Sequence, residues 1–430
     1  MSHSNNTVRT PGSLDESFAD AGIFRLDIPR VGSQTLIHDV AVQRSANLEY
    51  LYFAGYAIGG AFGYPYVLGR LMPDGTLDES FGVDGISSGS FALNMNSAGR
   101  SIALLADGKI LLTGQVGTIP TLARFLCDGT LDSDFGSEGL VILRLPEDIQ
   151  AQRAPQSQGE TQDHACSLTA LDSGKILVVH NYVVSHEADT RALIFLLNSD
   201  GSADESFNQK GHVQVVYPGG VPADVKLRNG FIDPDGKIVV GGNLAPRSGT
   251  PAPFFARYNI DGHLDRTFGD DGFVVVSLPT LQTPTINAMI GQPNKRLLAI
   301  GRTAAGQGLL ISLEPDGSPN IQFNRGQPLL TRLDNVDTLW RRAAMQPDGT
   351  LVLLDKIQRP EEQGELVVAR LLSDGSLDTT FNGVGWVSTS LERVGSFDGI
   401  DLQGDGKIVI AGFLSTPASQ GLVLRYHGRN

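Results

Sequence analysis

Asp74-Gly75-Thr76-Leu77-Asp78-Glu79-Ser80-Phe81-Gly82-Val83-Asp84-Gly85 is one copy of a block that recurs along the whole chain. A second copy is Asp128-Gly129-Thr130-Leu131-Asp132-Ser133-Asp134-Phe135-Gly136, and others begin at Asp200, Asp261, Asp316 and Asp374. Pro11-Gly12-Ser13-Leu14-Asp15-Glu16-Ser17-Phe18 is the first copy and lacks the leading aspartate. The phenylalanines of the block are Phe18, Phe81, Phe135, Phe207, Phe268, Phe323 and Phe381, a mean spacing of about 60 residues. Units repeated at a fixed period bury their apolar faces against one another, so the period, not the length of 430 residues, decides the domain count.

Each unit carries two further blocks in register with the first. Asp107-Gly108-Lys109-Ile110-Leu111 recurs as Asp235-Gly236-Lys237-Ile238-Val239 and Asp405-Gly406-Lys407-Ile408-Val409. Weaker copies are Ser173-Gly174-Lys175-Ile176-Leu177, Asn294-Lys295-Arg296-Leu297 and Asp348-Gly349-Thr350-Leu351, and Ser45-Ala46-Asn47-Leu48 stands in the first unit. The third block is an apolar run ending in arginine, as in Leu122-Ala123-Arg124-Phe125 and Val368-Ala369-Arg370-Leu371.

Between the blocks lie short runs rich in Val, Ile, Leu and Phe, such as Gly272-Phe273-Val274-Val275-Val276. Short apolar runs bounded by Asp-Gly predict strands, because Asp-Gly turns need the positive φ that glycine adopts without strain. Four strands per unit follow: a after the last Gly of the first block, b before Asp-Gly-Lys, c after it, and d ending in the arginine run. Four antiparallel strands repeated seven times predict an all-β fold, a seven-bladed β-propeller of four-stranded blades in one closed ring. An open solenoid is the rival. It calls for polar capping repeats, and the chain instead ends on a strand d whose missing first block stands at residues 11–18. Two frames stay open: strand a innermost, or an offset that puts both termini in one blade. The expected organisation is a flexible tail over residues 1–10 and one propeller domain over 11–430.

The Asp-Gly-Lys-Ile and Leu-Asp-x-x-Phe-Gly patterns resemble the delta-60 repeat family of bacterial repeat proteins over nearly the whole chain. The resemblance implies a propeller-like fold and no established activity. Pro319-Asn320 replaces Leu-Asp in the sixth copy, which puts the turn there in question.

The alternation of strands sorts the loops. The b–c turns and d–a links, made of repeated blocks, share one face. The a–b and c–d loops share the other, and they vary from unit to unit. Functional residues concentrate on variable loops of a rigid frame, so this second face is the expected recognition face. Tyr56, Phe62, Tyr64 and Tyr66 at the first c–d loop are candidate ligand-binding aromatics, with packing between blades as the alternative role. Arg247, in the Pro- and Gly-rich loop of residues 245–251, is a further candidate. The third a–b loop, residues 146–164, is long and glutamine-rich and reads as a surface insertion.

No catalytic signature is present: no Gly-x-Ser-x-Gly elbow and no His-x-x-x-His among the eight histidines. Asp163-His164-Ala165-Cys166 places His near Cys in a loop, which is too little for a dyad. Asp265, Asp270 and Asp271 cluster as weak calcium candidates, as do Asp132, Asp134 and Glu138, but no loop has the spacing of a calcium-binding hand. Aspartates that fix turns account for a residue present in nearly every unit. No cofactor is expected. The repeated lysines (Lys109, Lys175, Lys237, Lys407) and arginines (Arg70, Arg124, Arg257, Arg370, Arg425) read as scaffold parts that pair with repeat carboxylates.

The formal charge of −14 opposes binding to nucleic acid, whose phosphates demand a basic footprint, and to anionic membranes. The N-terminus lacks a basic region followed by an apolar run, so no signal peptide is expected, and no stretch approaches a membrane span. The protein is expected to be soluble and either cytoplasmic or exported without a leader. Cys127 and Cys166, the two cysteines, are expected to be buried or half-buried thiols, with one disulfide open. Three functional classes remain: a binding scaffold for a glycan or protein, an enzyme with a central-channel site of glycosidase or lyase type, and a structural or toxin-associated part of a larger assembly. A closed ring protects its strand edges, so a monomer is expected.

Overall fold

The computed structural model describes residues 10–44, 49–59, 64–92, 95–150, 166–183, 190–219, 223–246, 250–278, 283–292, 294–357, 364–415 and 418–429. Its strands form seven four-stranded antiparallel sheets. Blade 1 runs from an inner strand, Gln34–Gln43, through Tyr50–Ile58 and Tyr66–Leu71 to an outer strand, Ile86–Gly89. Blades 2 to 6 repeat this order, with inner strands Ser97–Leu104, Cys166–Ala170, Ala223–Ile232, Thr285–Gly291 and Arg342–Met345. In blade 7 the inner strand is Val394–Leu402, and the outer strand is Ile23–Arg25 from the other end of the chain, paired Ile23↔Leu424. The offset frame is therefore the right one: strand a of each unit closes the blade before it, and the termini share blade 7. The inner strands contact one another in order, and the seventh contacts the first.

The core is divided among the blade interfaces. Each of the seven adjacent pairs holds its own buried apolar cluster, for example Phe18, Val40, Phe53, Val409 and Val423 between blades 7 and 1. All seven block phenylalanines are at most 2% exposed. Burial of such rings stabilises by roughly 1.5–3 kcal/mol each.

The first block locks neighbouring blades together, which explains its repetition. The residue after each phenylalanine donates its N–H to the leading carbonyl of the next block: Gly82 to Asp128, Gly136 to Asp200, and so on to Asn382 to Pro11 and Ala19 to Asp74. Gly75 sits at φ +87, and a Cβ there would lie 2.7 Å from the backbone N of Ala19 and 2.8 Å from the Phe18 ring. The turn can approach the previous blade this closely only without a side chain.

The block aspartate fixes its own turn and holds the strand-d arginine. Asp78 Oδ1 accepts from the Ser80 N–H at 3.0 Å and hydroxyl at 2.6 Å, while Oδ2 accepts from Arg70 Nε at 2.8 Å. Arg70 lies over the Phe81 ring at 4.8 Å and donates to the Cys127 carbonyl of blade 2. The same clamp recurs as Arg124–Asp132, Arg257–Asp265, Arg370–Asp378 and Arg425–Asp15. Each guanidinium also reaches a carbonyl of the next blade: Ser199, Pro315, Gly428 and Pro73. Lys109 joins one clamp at 2.9 Å from Asp132, and in blade 3, where Leu196 stands in the arginine's place, Lys175 holds Asp204 at 2.6 Å. Blade 5 replaces both members together: Asn320 donates to the Ser312 hydroxyl at 3.0 Å and its Oδ1 still accepts the Gln322 N–H, so the turn survives there.

Among the described residues helix is confined to one α-turn, Glu147–Gln150, and one 3-10 turn, Asn324–Gly326. No helix among the described residues is long and apolar enough to cross a membrane. Cys127 is free and exposed, which corrects the expectation of a buried thiol. It precedes an Asp-Gly turn, where only its carbonyl is used, by Arg70.

Candidate functional site

Inner strands break register at one recurring place. The pairing with the next strand skips a residue at Ile37/Asp39, Gly99/Ser101, Leu227/Asn229, Ile286/Ala288 and Phe397/Gly399. The bulged residues are His38, Arg100, Arg228, Asn287 and Asp398. Arg341 holds the same place in blade 6, just ahead of the pair Arg342↔Leu354. A bulge re-aims a side chain out of the alternation of its strand. Here it takes one residue out of the alternation in five blades, and His38, Arg100 and Asp398 among them meet across blade boundaries.

Four of these residues, from consecutive blades 6, 7, 1 and 2, form a charged arc. Arg341 Nη1 lies 3.4 Å from Asp398 Oδ1. Asp398 Oδ2 accepts from the Ser396 hydroxyl at 2.6 Å and lies 3.9 Å from His38 Nδ1. Arg100 Nη1 stands 3.0 Å from His38 Nε2. A guanidinium only donates, so Nε2 accepts and the ring proton sits on Nδ1, facing Asp398. Burial, with Arg100 and Arg342 nearby, holds the His38 pKa below its ordinary value despite Asp398. Burial alone would raise Asp398, but His38, Arg342, Ser396 and Arg341 together hold it far below the carboxylate range. The arc therefore contains a neutral imidazole and an ionised carboxylate at neutral pH.

Asp39 follows His38 and serves the frame. Its Oδ2 accepts from Ser101 Oγ at 2.7 Å and the Ile102 N–H at 2.9 Å, and its Oδ1 from the Val40 N–H at 2.9 Å. Burial pushes it up to about 6 in spite of these bonds. Oδ2 staples blade 1 to blade 2, and Oδ1 holds its own strand. Asp401 staples blade 7 to blade 1 in the same way, through the Val42 N–H.

Tyr56 borders the arc. Its ring stacks on His38 at 5.5 Å and 17°, meets Tyr64 at 5.9 Å, and lies 5.4 Å below the Arg100 guanidinium. Tyr66 is 3% exposed and packs on Phe91 and Phe125, and burial raises its hydroxyl to about 12. It is a core residue of the blade 1–2 interface with no face open to a ligand. Phe62, Arg247 and most of the 146–164 loop lie outside the described residues. The sequence thus brings two of its candidates, Tyr56 and Tyr64, to the channel arc. It passed over the bulged residues themselves. A signal existed: the residue seven places ahead of the Asp-Gly-Lys block is His38, Arg100, Cys166, Arg228, Asn287, Arg341 and Asp398 in the seven units. That position differs between units beside blocks that repeat.

Asp265, a weak metal candidate, spends Oδ2 on Arg257 Nε at 2.8 Å and Oδ1 on Thr267, with Lys237 at 3.4 Å. Asp271 pairs with Arg266 at 3.4 Å, and the Asp270 backbone pairs with Phe273. A cation at Asp265 would have to displace two paired cations. No group of three His, Cys, Asp or Glu among the described residues could hold a metal.

Three stretches, residues 105–135, 234–268 and 346–381, match a family model described as a domain of unknown function (DUF5122) beta-propeller. The chain is thus similar to a propeller repeat family. No curated protein matches the sequence. Among solved structures, YCF48 from Cyanidioschyzon merolae is 12% identical, with 95% of this chain and 100% of that one covered and a TM-score of 0.49. An α-L-arabinanase from Penicillium chrysogenum is 11% identical over 76% and 92% of the two chains, with a TM-score of 0.44. A Trypanosoma rangeli sialidase is 10% identical over 96% and 59%, with a TM-score of 0.43. Likenesses this distant say nothing about activity.

Proposed function

We propose that the protein is a non-catalytic binding scaffold of delta-60-type repeats. It takes a glycan or a protein on the face of the c–d hairpins and blade-to-blade connections, with the channel arc at its centre, and it acts as a monomer. One observation carries this reading. At a single place per blade, seven residues ahead of a repeated turn, the chain abandons its repeat and sets unlike polar residues, and four of them meet in His38, Arg100, Arg341 and Asp398. A scaffold part recurs in each unit; a recognition surface need not. Nothing comparable favours catalysis: among carboxylates near the arc with a raised pKa, Asp39 has both oxygens occupied and Asp355 is 1% exposed, with one oxygen on the Leu339 N–H.

The test is a broad glycan array with the purified protein, with and without calcium, followed by affinity capture of protein partners. The wild type is compared with Tyr56→Ala and with a chain carrying exchanged c–d hairpins. Ligand retention by both variants would refute the placement on this face. Loss of binding at an unchanged melting temperature supports it. Light scattering that shows a stable dimer would refute the monomer.

A further inference from the structure

Arg341 is the cation in direct contact with Asp398, at 3.4 Å. Three other cations at the arc have no carboxylate within ion-pair distance among the described residues. Arg100 faces His38 and the Tyr56 ring. Arg342 donates to the Arg341 carbonyl at 3.0 Å, and Lys356 Nζ to the Gly395 carbonyl at 3.0 Å. All three are half-buried. This is the reverse of the other face, where each clamp arginine holds its own aspartate, and it occurs in a chain of net charge −14.

Two more carboxylates lie near these cations. Asp39 is spent on Ser101, Ile102 and Val40, and Asp355 accepts the Leu339 N–H. Burial and the neighbouring Arg341 lower the Lys356 pKa against the pull of Asp355 and Asp398, and burial with Arg100 and Arg342 lowers that of His38 against Asp398. Half-buried cations that touch no carboxylate directly bear a desolvation cost that an anion from outside would repay. A guanidinium offers a planar fork to carboxylate or sulfate oxygens. Tyr56 and Tyr64 beside it add rings of the kind that pack on sugar faces.

We infer that the channel site takes an acidic oligosaccharide, whose carboxylate or sulfate group is held by Arg100, Arg342 and Lys356. This rests on the scaffold reading above and names its ligand class.

Titration calorimetry with three probes tests it: oligogalacturonides, a sulfated galacto-oligosaccharide and the matching neutral galacto-oligosaccharide. At least one acidic probe binds, the neutral one binds at least about tenfold more weakly, and added salt weakens the acidic complex. Arg100→Gln and Arg342→Gln each reduce the acidic affinity by about tenfold or more, while Arg100→Lys, which keeps the charge, retains most of it. Melting curves establish that each variant is folded, and a variant that is not is replaced by Lys356→Gln. Whether the uronic or the sulfated probe binds identifies the anionic group. Neutral binding equal to acidic binding, or folded Gln variants with wild-type affinity, overturns the anion and leaves the scaffold reading standing. No binding to any probe also overturns the anion. The scaffold reading falls with it only if the glycan array and the partner capture are blank as well.

Discussion

Arg425 and Asp15, 410 positions apart in sequence, meet at 2.9 Å between Nε and Oδ2 inside blade 7. The pair is buried, and Arg425 also lies 4.5 Å over the Phe18 ring and reaches the Pro73 carbonyl of blade 1. It joins the last strand of the chain to the first block, so ring closure reuses the clamp found in blades 1, 2, 4 and 6.

Arg425→Ala should therefore destabilise the protein strongly. It leaves Asp15 buried with Ser17 and the more distant Lys407, at 3.6 Å, and His427, at 3.7 Å, to satisfy it. Removing one partner of a buried pair costs about 3–5 kcal/mol. Denaturant midpoints at constant slope measure the loss. A cost below about 1 kcal/mol, the range of exposed pairs, would mean that closure does not depend on this clamp.

The clamps also predict acid lability. Burial alone would raise the Asp15 and Asp265 pKa values, but hydrogen bonds from Ser17 and Thr267 and the charges of Arg425 and Arg257 bring both down to about 2. Asp78, Asp132, Asp204 and Asp378 shift in the same direction. A depressed folded-state pKa means that the unfolded chain binds the proton more readily. The stabilisation, about 2 kcal/mol for Asp15 or Asp265, is present above pH 4 and is lost as the pH falls from about 4 to about 2. Melting temperatures should drop steeply over that interval, and the slope should be shallower in Arg425→Ala.

Much of this was legible in the sequence, because the block residues act identically in each unit. Leu-Asp-x-x-Phe is written five times, with Ala203-Asp204 and Pro319-Asn320 as the two variants, since Asp15, Asp78 and their counterparts each fix a turn and each phenylalanine fills a blade interface. The frame was less legible. A strand such as Ile23–Arg25 carries no mark of which neighbour it will pair with, and the choice is made by the carbonyl-to-amide bonds between consecutive blocks. The channel arc was hidden for another reason. His38 and Asp398 are 360 positions apart, and nothing local relates them. The bulge that brings them together is a backbone irregularity with no residue preference of its own, as the set His, Arg, Asn and Asp demonstrates. Tyr56 and Tyr66 also look alike in sequence and pair directly across adjacent strands, yet Tyr56, on the strand next to the inner one, meets His38, while Tyr66, one strand further out, packs on Phe91 and Phe125.

Asp355→Asn should stabilise the protein at neutral and alkaline pH. The side chain is 1% exposed, its Oδ2 accepts the Leu339 N–H, and its Oδ1 has no hydrogen-bond partner. Burial raises its pKa to about 6. The folded state therefore holds this proton more tightly than the unfolded chain, and stability declines as the pH rises from about 4 through about 6, by roughly 3 kcal/mol. Asparagine keeps the acceptor and removes the charge. Its advantage should be about 2–3 kcal/mol at pH 8 and should vanish near pH 4. An advantage that does not change with pH would show that Asp355 is not the titrating group.

Blade 5 offers the complementary experiment, because it lacks the clamp in both members. Ser312 stands where the arginine would be and Asn320 where the aspartate would be, joined by a 3.0 Å hydrogen bond. Ser312→Arg alone buries a guanidinium beside an amide, and Asn320→Asp alone buries a carboxylate beside a hydroxyl, so each single change should destabilise. Together they rebuild the Arg–Asp pair on the Phe323 ring, with the Asp374 turn of blade 6 as the neighbour already bonded to Asn324 at 3.1 Å. The double-mutant cycle should give a favourable coupling of about 1–3 kcal/mol. Additive losses would mean that the clamp depends on more than the pair itself, for instance on the approach of the next blade's carbonyl that the other guanidinium groups reach.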